Sequence, residues 1–347
     1  MYPALAVHSA LAAKVPDMDA LWVGSQTGME ESLVKRQGLS FRSIPAAGVH
    51  GVGLATLPRN LTMLGRGVLS ARRILNDFDP DVMFFTGSYV AVPVALAGRS
   101  IPTLLYVPDI EPGMALKSLA RFADAIMVTT DQSQAYFNKP VYEVGYPLRA
   151  DLALWDRTTA NKHLGISSEA PVLLVFGGSL GAHSINLAVS KILRELLEKF
   201  EIIHLTGEQD WPFIKDQRQA LQAELASRYH ASPYLHEMGA ALASADLVVS
   251  RAGASCLGEY PLFGLPAILV PYPHAWRYQK VNADYLTRRS AAITLEDHRL
   301  NDDLLVTLNV LMENPNKLKA MRAAMFELSH PRAAEKIASA LIELAGE

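Results

Sequence analysis

The chain has 347 residues, enough for two domains at about 100–200 residues each. Half of them are hydrophobic, 19% are charged and mean hydropathy is +0.13, which excludes a disordered chain. A balance of 32 Lys and Arg against 35 Asp and Glu gives a net charge of -3 and no overall signature of nucleic-acid binding, and the single cysteine, Cys256, excludes a disulfide framework or a cysteine-rich zinc site.

At the N-terminus, Met1-Tyr2-Pro3-Ala4-Leu5-Ala6-Val7-His8 lacks the basic region of a signal peptide. From there short apolar runs of strand length alternate with longer helical patterns, the signature of parallel sheets built from βαβ units. In the first half the predicted strands are Ala20–Val23, Val82–Phe85, Thr103–Tyr106 and Ala125–Val128. Leu57 to Asn76 predicts an amphipathic helix with Arg59, Arg66, Arg72 and Arg73 among apolar residues; its basic side serves either solvent or a membrane surface. The uncharged stretch Val82 to Gly98 is shorter than the about 20 residues of a membrane span, and Gly87, Ser88 and Pro93 divide it into strand, turn and helix. Gly145-Tyr146-Pro147-Leu148-Arg149 to about Ser168 reads as a polar, irregular linker. The second half predicts strands at Val172–Phe176, Ile202–Leu205, Leu247–Val249 and Ala267–Val270. The fold class is therefore α/β, with two Rossmann-like, doubly wound parallel-sheet domains expected to face each other across a cleft.

Three loops carry the chemistry. In Val175-Phe176-Gly177-Gly178-Ser179-Leu180-Gly181-Ala182 a strand ends in a glycine-rich turn and a helix begins, so the backbone can approach an anion and the helix N-terminus offers unpaired N–H groups. Phosphate suits it, although a tight β–α turn needs glycine on steric grounds alone. Asp246 to Glu259 repeats the arrangement: a strand runs into Ser250-Arg251-Ala252-Gly253-Ala254, whose following turn suits a diphosphate, while Glu259 suits a ribose diol. Pro271 to Ala283 follows the next strand, at the carboxyl end where α/β sheets bind ligands. Asp17-x-Asp19 and Asp77-x-Asp79 resemble metal-binding pairs, but each precedes a strand and lies at the opposite end of the sheet; neither is read as a metal site.

Taken in order, Gly177-Gly178-Ser179-x-Gly181-Ala182, Ser250-Arg251-Ala252-Gly253-Ala254 with Glu259, Gly264-Leu265-Pro266-Ala267 and His274-x-x-Arg277-x-Gln279-x-x-Asn282-Ala283 resemble the MurG family across nearly the whole chain. Those enzymes are inverting transferases that move N-acetylglucosamine from UDP-GlcNAc to undecaprenyl-linked muramyl-pentapeptide, converting lipid I to lipid II in peptidoglycan synthesis. The resemblance implies a GT-B fold: an acceptor and membrane-side domain over 1–148, a UDP-sugar domain over 149–330, and a helix over 331–347 that crosses back to the first domain from His330-Pro331. It places Gly178 and Ser179 by the sugar or diphosphate, Leu235 and Met238 by the uracil, and Ala254, Ser255, Cys256, Leu257, Gly258 and Glu259 at the diphosphate and ribose. Gln279 would bond the sugar hydroxyls, and Arg149 would offer its guanidinium to phosphate. Gly87, Ser88 and Tyr89 would lie on the acceptor side. The resemblance implies no tightly bound cofactor and leaves metal use open; it implies a peripheral position on the cytoplasmic membrane face.

Two departures from the family bear on catalysis. The family begins with a strand and a Gly-Gly-Thr-Gly-Gly-His loop ahead of the residues matching Met1 to Ala6, so the loop and its base histidine have no counterpart here. The family's His-Glu-Gln-Asn-Gly is replaced by Asp109-Ile110-Glu111-Pro112-Gly113, and one of Asp109 or Glu111 is the expected base, unless both cap the helix that follows. Two alternatives stay open: a related UDP-sugar transferase with another lipid or metabolite acceptor, and a catalytically weak UDP-sugar-binding subunit.

Overall fold

A strand such as Val172-Leu173-Leu174-Val175-Phe176, apolar without alternation, requires cover on both faces. The computed structural model supplies it and describes residues 1–26, 30–47, 57–167, 169–178, 180–274 and 277–346. The chain forms two units, Met1–Pro147 with Arg332–Glu347, and Leu148–Pro331.

The first unit contains α1 (Tyr2–Lys14), β1 (Leu21–Ser25), α2 (Glu30–Arg36), β2 (Ser40–Ile44), α3 (Leu57–Phe78), β3 (Met83–Phe85), α4 (Ala91–Ala97), β4 (Thr103–Val107), α5 (Met114–Leu119), β5 (Ala125–Val128) and β6 (Tyr142–Glu143). Its strands form two parallel sheets, β1-β2 and β3-β4-β5-β6. All five residues of β4 are buried because its alternate side chains enter different cores. Leu105 and Val107 pack with residues of α4 and α5, whereas Leu104 and Tyr106 pack with Ala6 and Val7 of α1 and with Ile337 and Leu341 near the C-terminus.

The second unit contains α6 (Arg157–Leu164), β7 (Val172–Phe176), α7 (His183–Lys191), α8 (Leu193–Leu197), β8 (Glu201–Leu205), α9 (Trp211–Gln219), α10 (Ala223–Ser227), β9 (Tyr229–Ser232), α11 (Met238–Ser244), β10 (Leu247–Ser250), α12 (Glu259–Phe263), β11 (Ala267–Leu269), α13 (Tyr278–Arg288), β12 (Ala292–Thr294), α14 (Leu300–Met312) and α15 (Pro315–Phe326). Its sheet is wholly parallel, ordered β12-β11-β10-β7-β8-β9. The chain then returns to the first unit as α16 (Ala333–Ala345), whose buried Ala333, Ala334, Ile337, Ala338 and Leu341 form one helical stripe against α1.

The segment expected to be an irregular linker is partly helical. Asp156 caps α6 by accepting from the Thr159 N–H at 2.9 Å, and Gly165 ends it with φ at 71°. The Asp-x-x-Thr and terminal Gly signals are both in the sequence; the polar composition between them masks a helix that buries mainly Ala160.

A buried polar network fixes the second unit around β8. Asn186 of α7 donates to the Thr206 carbonyl at 2.8 Å and to Asp210 at 2.7 Å, and its Oδ1 accepts from His204 Nε2 at 3.0 Å. His204 Nδ1 accepts from the Tyr229 hydroxyl at 2.8 Å. Burial pushes the His204 pKa down to about 3, so the ring is neutral and its one proton goes to Asn186. Asn186→Ala leaves the Thr206 carbonyl and His204 unsatisfied and is expected to lower the unfolding free energy of this unit by about 3 kcal/mol. Urea unfolding followed by tryptophan fluorescence checks this.

Candidate functional site

In the six-stranded sheet the chain runs from β7 outward to β8 and β9, then returns to β10 on the other side of β7 and continues to β11 and β12. The reversal between β7 and β10 is a topological switch point, where the loops at the carboxyl ends diverge and leave a crevice. The three loops that carry the chemistry follow β7, β10 and β11, so they share this rim.

The loop after β7 is shaped by glycines. Gly178 has φ of 95° and Gly181 φ of 79°, conformations that side chains disfavour. A Cβ on Gly181 would strike the Thr206 carbonyl oxygen, and one on Gly177 would strike Ala182. Gly181 N–H donates to the Gly178 carbonyl at 3.0 Å and closes the turn ahead of α7. Gly207, at φ 79°, lets the loop after β8 approach Leu180. Ser179 lies outside the described residues.

The loop after β10 is braced from beneath. Ser250 and Tyr260 hydroxyls lie 2.6 Å apart, and Phe176 meets the Tyr260 ring edge-on at 6.4 Å, tying β7, β10 and α12 together. Residues Ala254–Leu257 form a 3₁₀ turn entered from Gly253. The Cys256 and Leu257 side chains are buried, so these residues, like Gly258, can offer a ligand only backbone. Ala254 and Ser255 open the turn, ahead of its first internal hydrogen bond. Asn282 of α13 donates to the Ala252 carbonyl at 3.1 Å and fixes the loop from the β11 side.

Glu259 starts α12 and is the most perturbed carboxylate on this rim. Loss of hydration raises its pKa to about 7, opposed by a hydrogen bond from Ser255 and by the charge of Arg149. Arg149 is 110 positions away in sequence, and its guanidinium also pairs with Asp151 at 3.4 Å. Removing it with Arg149→Met is expected to move the Glu259 titration above pH 7, which carbon-13 NMR of labelled glutamate carboxyls reads directly.

Gln279 is held at the start of α13, where its Oε1 accepts from the Tyr272 N–H at 2.8 Å; its NH2 group makes no hydrogen bond among the described residues. Leu235, half-buried, and Met238, at the start of α11, follow the edge strand β9. They stand two strands from β7, whereas Gly178, Ala254–Glu259 and Gln279 follow β7, β10 and β11.

One residue of the motif has a role that its sequence context did not reveal. Arg251 donates to Asp297 and, at 2.8 Å, to Ser184, and its guanidinium lies 5.1 Å from the centre of the Tyr272 ring. It also reaches the Val270 carbonyl at 3.2 Å. This arginine therefore clamps the loops after β10, β11 and β12 to α7. An arginine immediately after an apolar strand is a signal of such a clamp, but its partners are 46 and 67 residues away.

In the first unit, Gly87 and Ser88 follow β3 with φ of 114° and 77°; a serine in that region is strained, and Tyr89 beside it is exposed. Glu111 is buried and Asp109 half-buried after β4. The N-cap of α5 is Gly113, which makes no side-chain bond to the helix. Among the described residues, no group of three or more His, Cys, Asp or Glu side chains is arranged to hold a metal ion.

Residues 1–128 match the glycosyltransferase family 28 N-terminal domain, and residues 172–337 match the glycosyltransferase family 28 C-terminal domain. The UDP-N-acetylglucosamine--N-acetylmuramyl-(pentapeptide) pyrophosphoryl-undecaprenol N-acetylglucosamine transferase of Roseiflexus sp. (strain RS-1) is 38% identical, over 97% of this chain and 91% of its own. The protein of the same description from Desulforudis audaxviator is 37% identical, over 100% and 96%. Among solved structures, Acinetobacter baumannii MurG superposes with a TM-score of 0.78 at 26% identity, covering 99% of this chain and 95% of that one. The two parallel-sheet units flanked by helices have the GT-B fold of such glycosyltransferases. Both halves of the sequence and full-length relatives agree, and the chain belongs to glycosyltransferase family 28.

Proposed function

We propose that this chain is an N-acetylglucosaminyltransferase that takes UDP-GlcNAc as donor and the undecaprenyl-pyrophosphoryl muramyl-pentapeptide as acceptor, the step that makes lipid II for peptidoglycan. The observation that carries the donor half is the switch-point rim, where a glycine turn, a 3₁₀ turn whose opening residues Ala254 and Ser255 precede its first internal hydrogen bond, and Glu259 follow adjacent strands. Glu259 accepts from the ribose hydroxyls as a carboxylate. The turn at Ala254–Leu257 and Arg149 meet the diphosphate, Leu235 and Met238 border the uracil, and the Gln279 NH2 group binds the sugar. Gly178 leaves backbone room for the sugar and diphosphate.

In the reaction an acceptor hydroxyl oxygen attacks the anomeric carbon of the donor sugar and the bond to the UDP oxygen breaks. The negative charge that develops on the diphosphate is what the N–H groups and Arg149 stabilise. The acceptor proton passes to a base; Asp109 is the more accessible of the two candidates, since Glu111 is buried. Gly87, Ser88 and Tyr89 are assigned to the acceptor.

We also propose that the chain works as a peripheral protein at a membrane surface. The outer face of α3 exposes Leu61 and Leu69 together with Arg59, Arg66, Arg72 and Arg73, a composition suited to anionic headgroups. No helix among the described residues is long and apolar enough to cross a membrane.

The test is transfer of labelled N-acetylglucosamine from UDP-GlcNAc to a lipid I analogue in anionic vesicles by the purified full chain. Labelled lipid II is the expected product, with Asp109→Asn slower by about 10²-fold or more. UDP-GlcNAc binding without any transfer would instead favour a donor-binding subunit.

A further inference from the structure

A glutamine amide can present either its oxygen or its NH2 group to a ligand, and the hydrogen bonds around it decide which. At Gln279 one contact decides. Its Oε1 accepts from the Tyr272 N–H at 2.8 Å, and because an N–H can only donate, the amide is held with its NH2 group outward. Tyr272 stands between Pro271 and Pro273, so its N–H is the only backbone donor of that tripeptide, and Pro273 keeps it extended.

The Tyr272 ring is 44% exposed, yet it has neighbours that hold it. The Arg251 guanidinium lies 5.1 Å from its centre, and the His274 ring meets it edge-on at 5.4 Å with 76° between the planes. Arg251 is fixed in turn. Its Nη1 donates to Asp297 and, at 3.2 Å, to the Val270 carbonyl, and its Nη2 donates to Ser184 at 2.8 Å; the side chain is only 10% exposed. Val270 immediately precedes Pro271, so Arg251 grips the loop after β11 twice, at the carbonyl ahead of Pro271 and at the ring of Tyr272.

We propose that Tyr272 and Arg251 are positioning residues for the donor sugar: they hold the Gln279 amide in one of its two flips, so that its NH2 group meets a sugar oxygen that accepts. The proposal rests on the assignment of Gln279 to the sugar of UDP-GlcNAc. It adds that recognition of the sugar belongs to a relay in which Asp297 and Ser184 fix Arg251, Arg251 fixes Tyr272, and Tyr272 fixes Gln279. Without the stacked ring the loop after β11 loses its hold on Arg251, and the Tyr272 N–H no longer keeps one place. The amide then turns between its two flips, and the bond from NH2 to the sugar is made for only part of the time.

The test measures the Kd values of UDP and of UDP-GlcNAc for the full chain by titration calorimetry; their ratio isolates what the sugar contributes. Tyr272→Leu keeps the N–H but removes the stacked ring, and is expected to lower that ratio by about two- to tenfold, the size of one neutral hydrogen bond, with UDP affinity unchanged. Tyr272→Phe restores the ring and is expected to restore the ratio. Arg251→Lys keeps a charge opposite Asp297 without the planar stack, and is expected to lower the ratio in the same way. Gln279→Ala removes the group being positioned, so adding Tyr272→Leu to it should lower the ratio no further. Additive losses in that double variant, or equal losses for UDP and UDP-GlcNAc, would mean that Tyr272 supports the rim without acting through Gln279, and would overturn the proposal. A ratio unchanged in Tyr272→Leu but lowered in Gln279→Ala would overturn the positioning role alone. A ratio unchanged in Gln279→Ala would overturn the sugar assignment and the relay with it.

Discussion

Glu259→Ala is expected to weaken UDP binding by roughly 5–150-fold, because the ribose hydroxyls then lose a partner in a partly desolvated site, a loss of about 1–3 kcal/mol. The pH dependence tests the same assignment more sharply. In the free protein the Glu259 pKa is raised to about 7, so at pH 6 only about a tenth of the molecules hold a carboxylate ready to accept from the diol. Affinity for UDP is therefore expected to rise about tenfold between pH 6 and a plateau above pH 8. Folding stability has the opposite trend: the raised pKa favours the protonated folded state, so this residue's contribution is complete below about pH 4.5 and is lost as pH rises through 7. Glu259→Gln keeps one acceptor oxygen and should bind with intermediate strength, without the pH component that it lacks the proton to produce. Titration calorimetry from pH 5.5 to 8.5 reads both, and an unchanged pH profile in Glu259→Gln would remove Glu259 from the site.

Gly181→Ala is expected to be the most damaging single-atom change on the rim. The left-handed conformation at φ 79° costs an alanine about 1–2 kcal/mol, and the new methyl group also meets the Thr206 carbonyl, a backbone atom held by Asn186. The loop after β7 must shift to relieve it. The expected outcome is a loss of about 3 kcal/mol or more in stability together with loss of UDP binding. Gly178→Ala is the matched control: its φ of 95° carries a similar conformational cost, but nothing lies within 4 Å of the added carbon, so the loss should be about 1–2 kcal/mol with the loop in place. Equal effects from the two substitutions, measured by chemical unfolding, would mean that close approach to Thr206 is unimportant.

Of the strands legible in the sequence, β4, β5, β7, β8, β10 and β11 lie inside their sheets, while β1 and β3 stand at sheet edges. Runs such as Leu173-Leu174-Val175 or Leu104-Leu105 are apolar at every position because helices cover both faces, and each proved to be a strand. The four strands not foreseen, β2, β6, β9 and β12, all stand at sheet edges. Ser40-Phe41-Arg42-Ser43-Ile44 keeps only two apolar residues, and Tyr229-His230-Ala231-Ser232 buries Tyr229 and Ala231 alone, since an edge is partly solvated and its strand can be short and polar.

The site divides in a similar way. Its loops were legible because glycine and small residues mark turns locally. What supports them was not: Arg149 acts on Glu259 across 110 residues, and Arg251 finds Asp297 and Ser184 only through the sheet order. His204 and Asn186, polar residues inside Ile-Ile-His-Leu and Ile-Asn-Leu-Ala, were a visible anomaly in apolar runs. The network they form explains them.

The most direct measurement is a crystal structure of the chain with UDP-GlcNAc bound. The prediction is a diphosphate over the Ala254–Leu257 turn, ribose hydroxyls within about 3.2 Å of the Glu259 carboxylate, and the sugar within reach of Gln279. A nucleotide bound away from the carboxyl ends of β7 and β10, or a ribose that does not touch Glu259, would contradict it.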